Sequence, residues 1–152
     1  MTGRIIFAQI LECKMTDPSV VSEQQLRRQA TWLKESWTWL LRTKVLGPDP
    51  QGRRLEALDV GCGPGLVMEE LGPLFNVQGL DRDEGMVEGC LNKGFPVVQG
   101  VAEGMPFEDG SFDVVYCSFL LLWVKDPSLV VREMGRVSRR WVVCLAEPDY
   151  GG

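Results

Sequence analysis

Leu58-Asp59-Val60-Gly61-Cys62-Gly63-Pro64-Gly65-Leu66 is the stretch whose reading decides the fold. Before it, Leu55–Val60 is an apolar run of the length of a buried strand. Three glycines then stand at alternate positions, and Leu66–Leu71 follows with helical spacing. Strand, glycine turn and helix in that order form a ligand cradle. Glycine lets the backbone turn tightly and come close to a bound molecule. The free N–H groups and positive dipole end of the new helix point at that molecule.

Two cofactor classes use such a turn. Dinucleotide sites take G-x-G-x-x-G/A, with a small last residue for close helix–strand packing. That residue would be position 66, where Leu66 stands. The pattern here is G-x-G-x-G, ending at Gly65. A plain strand–helix turn fits this stretch as well, because short glycine motifs match by chance. The rest of the chain decides.

The chain has 152 residues, 45% apolar and 24% charged, which suits one globular domain with a real core. No run is as long as a membrane helix, and residues 1–11 lack a signal-peptide pattern, so a cytoplasmic protein is expected. Cys13, Cys62, Cys90, Cys117 and Cys144 are odd in number and lack metal-ligand spacing. They read as reduced, mostly buried thiols, with no metal site. There is no histidine, which removes the commonest general base and metal ligand. Residues 1–54 hold nine Lys/Arg against five Asp/Glu, and residues 55–152 hold seven against sixteen. An acidic main body argues against nucleic-acid binding, and the basic N-terminal part reads as a solvated helix face.

Residues 4–11 are apolar and fit a strand or a helix turn equally. Asp17-Pro18-Ser19 and the pair Ser22 and Gln25 are helix-start signals. From there to about Leu46, the residues Leu26, Ala30, Leu33, Trp37, Leu40 and Leu41 recur at helical steps as one apolar stripe. Trp32 and Trp39 lie off it and read as flanks of a broad buried face, or else as a cover for a pocket or partner. Residues 47–52 are a linker. After the glycine turn come strands at 77–80, 96–99, 112–119 and 141–146, with helices at 83–91 and Pro127–Val137 between them. Asp126 before Pro127 is an N-cap and N1 pair.

Alternating strands and helices mean a parallel α/β sheet with right-handed crossovers. Its ligands sit beyond the strands' carboxyl ends, beside the first strand. The glycine turn, Asp81 with Arg82, residues 100–103 and residues 117–119 all fall there. Asp81 lies twenty-two residues beyond Asp59, where a carboxylate can accept from both hydroxyls of a ribose. Its other reading is a cap for helix 83–91.

In order, Leu58 to Gly65, Gly79-Leu80-Asp81, Gly100-Val101-Ala102-Glu103-Gly104-Met105-Pro106-Phe107 and Ser111-Phe112-Asp113-Val114-Val115 resemble the small-molecule branch of the class I S-adenosylmethionine (SAM) dependent methyltransferases. That branch includes the ubiquinone and menaquinone biosynthesis enzymes. The resemblance covers residues 55–150. It implies a Rossmann-like sheet of order 3-2-1-4-5 with helices on both faces. It also implies SAM as cofactor and methyl transfer to a small-molecule acceptor. Residues 1–52 would then cover the cofactor side of a SAM-binding domain at 53–152. Carried over, Gly61, Cys62, Gly63 and Gly65 meet the methionine part and Asp59 its amino group. Asp81 holds the ribose, with Arg82 beside it. Met86 packs near the adenine or serves as plain core. Ala102 and Glu103 border the adenine edge, and Ser118 lies near the cofactor.

Three features depart from the family. Val101 stands where an Asp receives the adenine amino group, and Glu103 is the substitute within reach. Residues 119–123 are wholly apolar where histidines are common. The last strands of the seven-stranded sheet are missing. A bare fifth strand at 141–146 would template pairing, so a homodimer or a completing segment is expected there. The alternative function is a non-catalytic subunit that activates a partner. Transfer from a sulfonium is an in-line displacement that needs positioning more than side-chain chemistry, so the lack of histidine is no objection. Glu147 and Asp149 are the nearest candidate bases, but both read sooner as a polar strand exit. No catalytic residue is named.

Overall fold

The computed structural model describes residues 4–8, 23–47 and 52–146. The helix-start signals at 17–22, the bases Glu147 and Asp149, and Cys13 lie outside them. Six parallel strands make one sheet: β1 (Arg4–Ala8), β2 (Leu55–Val60), β3 (Phe75–Asp81), β4 (Val97–Gln99), β5 (Phe112–Ser118) and β6 (Ser138–Leu145). Their order is β1-β6-β5-β2-β3-β4. The helices are α1 (Glu23–Leu40), which runs on into a widened π turn at Leu41–Leu46, then α2 (Leu66–Leu71), α3 (Glu84–Asn92) and α4 (Pro127–Val137).

The strand order 3-2-1-4-5 therefore stands, with a sixth strand beyond the fifth. The open edge expected at residues 141–146 does not. Arg4 to Ala8 pair with it in parallel, from Arg4 opposite Trp141 to Ala8 opposite Leu145. The unpaired backbone groups of an apolar strand need partners, and the chain's own first strand supplies them. Neither a second copy nor a missing segment is required at that edge.

Strand alternation divides the core between the two faces. Ala57, Val77, Val114, Tyr116, Val143 and Leu145 face α1 and α2. Leu58, Val60, Leu80, Val115, Cys117, Val142 and Cys144 face Val130, Met134 and Val137 of α4. The α1 stripe lies as the spacing predicts, with Ala30, Leu33, Trp37 and Leu41 buried and Leu26 and Leu40 partly so. Trp32 and Trp39 are 74% and 63% exposed. They are not flanks of the buried face, because the stripe leaves them on the opposite side of the helix. Among the described residues, no helix is long and apolar enough to cross a membrane.

The loop between β4 and β5 is tied to α4 by Arg136 and Glu133. Arg136 donates to the carbonyls of Met105 and Phe107 and to the carboxylates of Asp109 and Glu133. Glu133 in turn accepts from the Met105 N–H at 3.0 Å. The hydrogen bond from Arg136 holds the Glu133 carboxyl below its ordinary range. Arg136→Ala is expected to cost about 1–2 kcal/mol in urea unfolding at neutral pH. A depressed acid stabilises above its unfolded pKa and stops doing so as pH falls through its folded value. The penalty should therefore shrink in acid, and equal penalties at neutral and acid pH would count against the pair.

Candidate functional site

The site forms where β2, β3 and β5 end. Gly61 and Cys62 donate their N–H groups to the Leu80 carbonyl at 2.8 and 3.1 Å, which folds the turn after β2 against the end of β3. Asp81 closes the same turn from below: its Oδ2 accepts from Gly63 N–H at 2.8 Å and its Oδ1 from Asp83 N–H at 3.0 Å. Each carboxylate oxygen keeps a second lone pair for a ligand hydroxyl. The alternative of Asp81 as a helix cap fails, because Asp83 is the N-cap of α3 and accepts from Met86 N–H.

Two carboxylates are buried in the described structure, and they differ in their partners. Asp113 faces Arg53 and Arg139 and accepts from Glu56 N–H. Asp59 is 1% exposed, and its Oδ2 has no partner. Trp37 Nε1, the Tyr116 hydroxyl and Ser118 Oγ are likewise buried without one. Unpaired buried polar atoms are costly and rare, so their grouping marks a place built for something else. Burial pushes the Asp59 carboxyl well above the usual range, the charges of Cys90 and Asp81 add to it, and the nearby Tyr116 hydroxyl opposes it. The Tyr116 phenol is pushed up by its own burial and by Asp59.

Asp59 and Ser118 border a cavity of about 380 Å³. The predicted residues Gly61, Cys62, Gly63, Asp81, Arg82, Met86, Ala102 and Glu103 line it with them. Gly65 does not. It starts α2 with a positive φ of 78°, and a Cβ there would meet Cys90 Sγ at 3.0 Å and the Phe95 ring. Its smallness serves packing behind the turn, and it does not approach the ligand space. Val101 is 50% exposed and off the wall, whereas the half-buried Glu103 is on it.

Two parts of the wall went unassigned as site residues. Gln25, Leu26, Gln29, Ala30 and Trp37 come from α1. Helical spacing places them on one side of the helix, but nothing local says what that side faces. Phe119, Leu120, Trp123 and Val124 come from the segment after β5, whose unbroken apolar character was the available signal. Phe119 has a φ of 55°, a left-handed conformation rare for a bulky residue. Such strain persists where the surroundings enforce it, often at functional sites. Among the described residues, no cluster of His, Cys, Asp and Glu could hold a metal.

Residues 58–144 match a protein family described as "Methyltransferase domain". A malonyl-[acyl-carrier protein] O-methyltransferase of Legionella pneumophila is 34% identical over 88 residues, 53% of this chain and 31% of the relative. A demethylmenaquinone methyltransferase of Staphylococcus aureus is 39% identical over 101 residues, 59% of this chain and 42% of the relative. The match thus spans well under half the length of either relative. Among solved structures, the YcgJ protein of Bacillus subtilis superimposes with a TM-score of 0.52 at 32% identity, over 56% of this chain and 40% of that one. A SAM-dependent methyltransferase of Methanosarcina mazei gives 0.53 at 25% identity, over 57% and 48%.

Proposed function

The chain belongs to the methyltransferase domain family, and from that premise we propose that its cavity binds SAM and presents the methyl group to an apolar or aromatic small-molecule acceptor. The carrying observation is the buried, unpartnered Asp59 Oδ2 beside the glycine turn. A ligand ammonium suits it in place, charge and hydrogen bonding. Gly63 fits the same ligand: its φ is 53° and a Cβ there would meet nothing within 4 Å, so the backbone is bare toward the cavity.

When bound, SAM supplies a methyl group on a sulfonium, ready for in-line displacement. The chain supplies position. Asp81 accepts from the ribose hydroxyls while it holds Gly63 N–H, so one carboxylate sets both the turn and the sugar. Glu103 takes the acceptor role at the adenine edge that Val101 leaves open, with Ala102 and Met86 against the ring. Ser118 Oγ faces the cofactor from the end of β5. Leu120, Trp123 and Leu26 form an apolar wall that keeps water from the transfer and favours an acceptor without charge. In this arrangement the helix within residues 1–52 covers the cofactor, and residues 53–152 supply the turn and both aspartates.

Titration calorimetry with SAM and S-adenosylhomocysteine tests the cofactor. Transfer of label from methyl-tritiated SAM to naphthols, catechols and aromatic amines tests the acceptor class. Absence of binding of either cofactor form at millimolar concentration would refute the reading. Label transferred to charged polar acceptors alone would overturn the acceptor class.

Asp59→Asn separates stability from binding. A carboxyl whose folded pKa is raised contributes its full stability only below its unfolded pKa, and that stability declines as pH rises toward the folded value. The asparagine variant should therefore unfold at a higher temperature than the parent at about pH 8, with the gap closing near about pH 4. The same variant should bind S-adenosylhomocysteine about ten-fold more weakly. Unaltered affinity would show that the ammonium is held elsewhere.

A further inference from the structure

Cys62 and Cys90 are 28 residues apart in sequence, yet their sulfurs lie 3.7 Å apart beneath the glycine turn. Both thiols are free and buried. Both also address one atom in the middle of that turn. Cys90 Sγ donates to the Gly63 carbonyl at 3.1 Å, and Cys62 Sγ approaches the same oxygen at 3.6 Å. The opposite end of the Gly63 unit, its N–H, is held by Asp81. The ligand-facing turn is thus clamped between a carboxylate and a thiol pair.

We propose that Cys62 and Cys90 are a redox pair: a peroxide entering the cavity converts them to a disulfide that reversibly weakens cofactor binding. Cys62 lines the cavity and gives a small oxidant its route. A disulfide bond is about 2.05 Å long, so closure draws the two sulfurs together by roughly 1.7 Å. That movement removes the thiol hydrogens that hold Gly63 O and pulls α3 against the turn. Cys90, 3.7 Å behind Cys62, is the member of the pair whose thiolate is favoured, by the Cys62 hydrogen bond and the Lys93 charge against its own burial. The hydrogen bond with Cys90 and burial push the Cys62 thiol up, so the first attack falls to Cys90.

The chemistry balances with hydrogen peroxide as the oxidant. A thiolate of the pair attacks one peroxide oxygen, the O–O bond breaks, and sulfenic acid and hydroxide result. The second thiol attacks the sulfenic sulfur, the S–S bond forms, and water leaves. Two thiols and one peroxide become one disulfide and two waters. The sulfurs lose two electrons and the peroxide gains them. A dithiol reductant reverses the step by exchange.

The switch rests on the reading of the cavity as the SAM site, and its test keeps the two apart. The protein is treated with hydrogen peroxide, then digested without reduction and mapped by mass spectrometry. S-adenosylhomocysteine affinity is measured before oxidation, after it, and after dithiothreitol. The expected result is a Cys62–Cys90 linked peptide, roughly ten-fold weaker binding and recovery on reduction. S-adenosylhomocysteine present during oxidation should slow the linkage. Cys90→Ala should keep its affinity through peroxide treatment. Cys117 and Cys144 are an internal comparison, being opposite each other on β5 and β6 on the α4 face. Linkage there instead, no Cys62–Cys90 peptide, or the linked peptide with unaltered affinity would overturn the proposal. The wild-type map decides even if the variant does not fold. Reduced protein that fails to bind S-adenosylhomocysteine would refute the cofactor reading itself and the switch with it.

Discussion

Gly63→Val is expected to abolish detectable S-adenosylhomocysteine binding while the protein still unfolds cooperatively. Gly63 holds a φ of 53°, a region that an L residue enters at a cost of about 1–2 kcal/mol, more when the side chain is branched at Cβ. Its missing Cβ points into open space at the cavity wall and meets nothing within 4 Å. Valine would place two methyl groups in the volume assigned to the methionine part. It would also strain the N–H that Asp81 holds at 2.8 Å. Gly94→Val is the matched control. Gly94 has a φ of 82°, an equally open Cβ position and no place on the cavity wall. The two variants should lose comparable stability in denaturant, and only the first should lose binding. If Gly63→Val binds as well as Gly94→Val does, the turn does not touch the cofactor.

Asp81→Ala should weaken S-adenosylhomocysteine binding by about 2–3 kcal/mol, from roughly thirty-fold to more than a hundred-fold. Two losses combine. The ribose hydroxyls lose a charged acceptor, and the Gly63 and Asp83 N–H groups lose the oxygens that set the turn's shape. Global stability should change less, because Asp81 is only half-buried and water can reach the freed donors. Asp81→Asn distinguishes the two contributions. Its remaining carbonyl oxygen can still receive the Gly63 N–H, so binding should fall between parent and alanine variant. Calorimetry on all three proteins, with circular dichroism as a fold check, measures both effects. An alanine variant that is folded and binds as the parent does would place the ribose elsewhere.

Sequence alone determined what depends on neighbours along the chain. Leu55–Val60, Leu66–Leu71 and Pro127–Val137 have the bounds that their apolar spacing, glycines and Asp126-Pro127 cap predict. Those signals act through backbone geometry within a few residues, so they survive in any context. The same holds for Asp81 at a strand end and for the turn that brings Gly61 and Gly63 to the cavity. The tertiary structure alone decided what depends on distant partners. Residues 4–8 are a strand because β6 offers them an unpaired edge, and a short apolar run contains nothing that names its partner. Helical period sets Trp37 on the face opposite Trp32 and Trp39, but that the sheet and α2 lie on the Trp37 side of α1 is a fact of packing. Gly65 packs on Cys90, and Cys90 meets Cys62, because α3 crosses behind the turn. The unpartnered oxygen of Asp59 is of the same kind: a carboxylate's type can be read from a letter, but its lack of a partner exists only once every nearby donor has been placed.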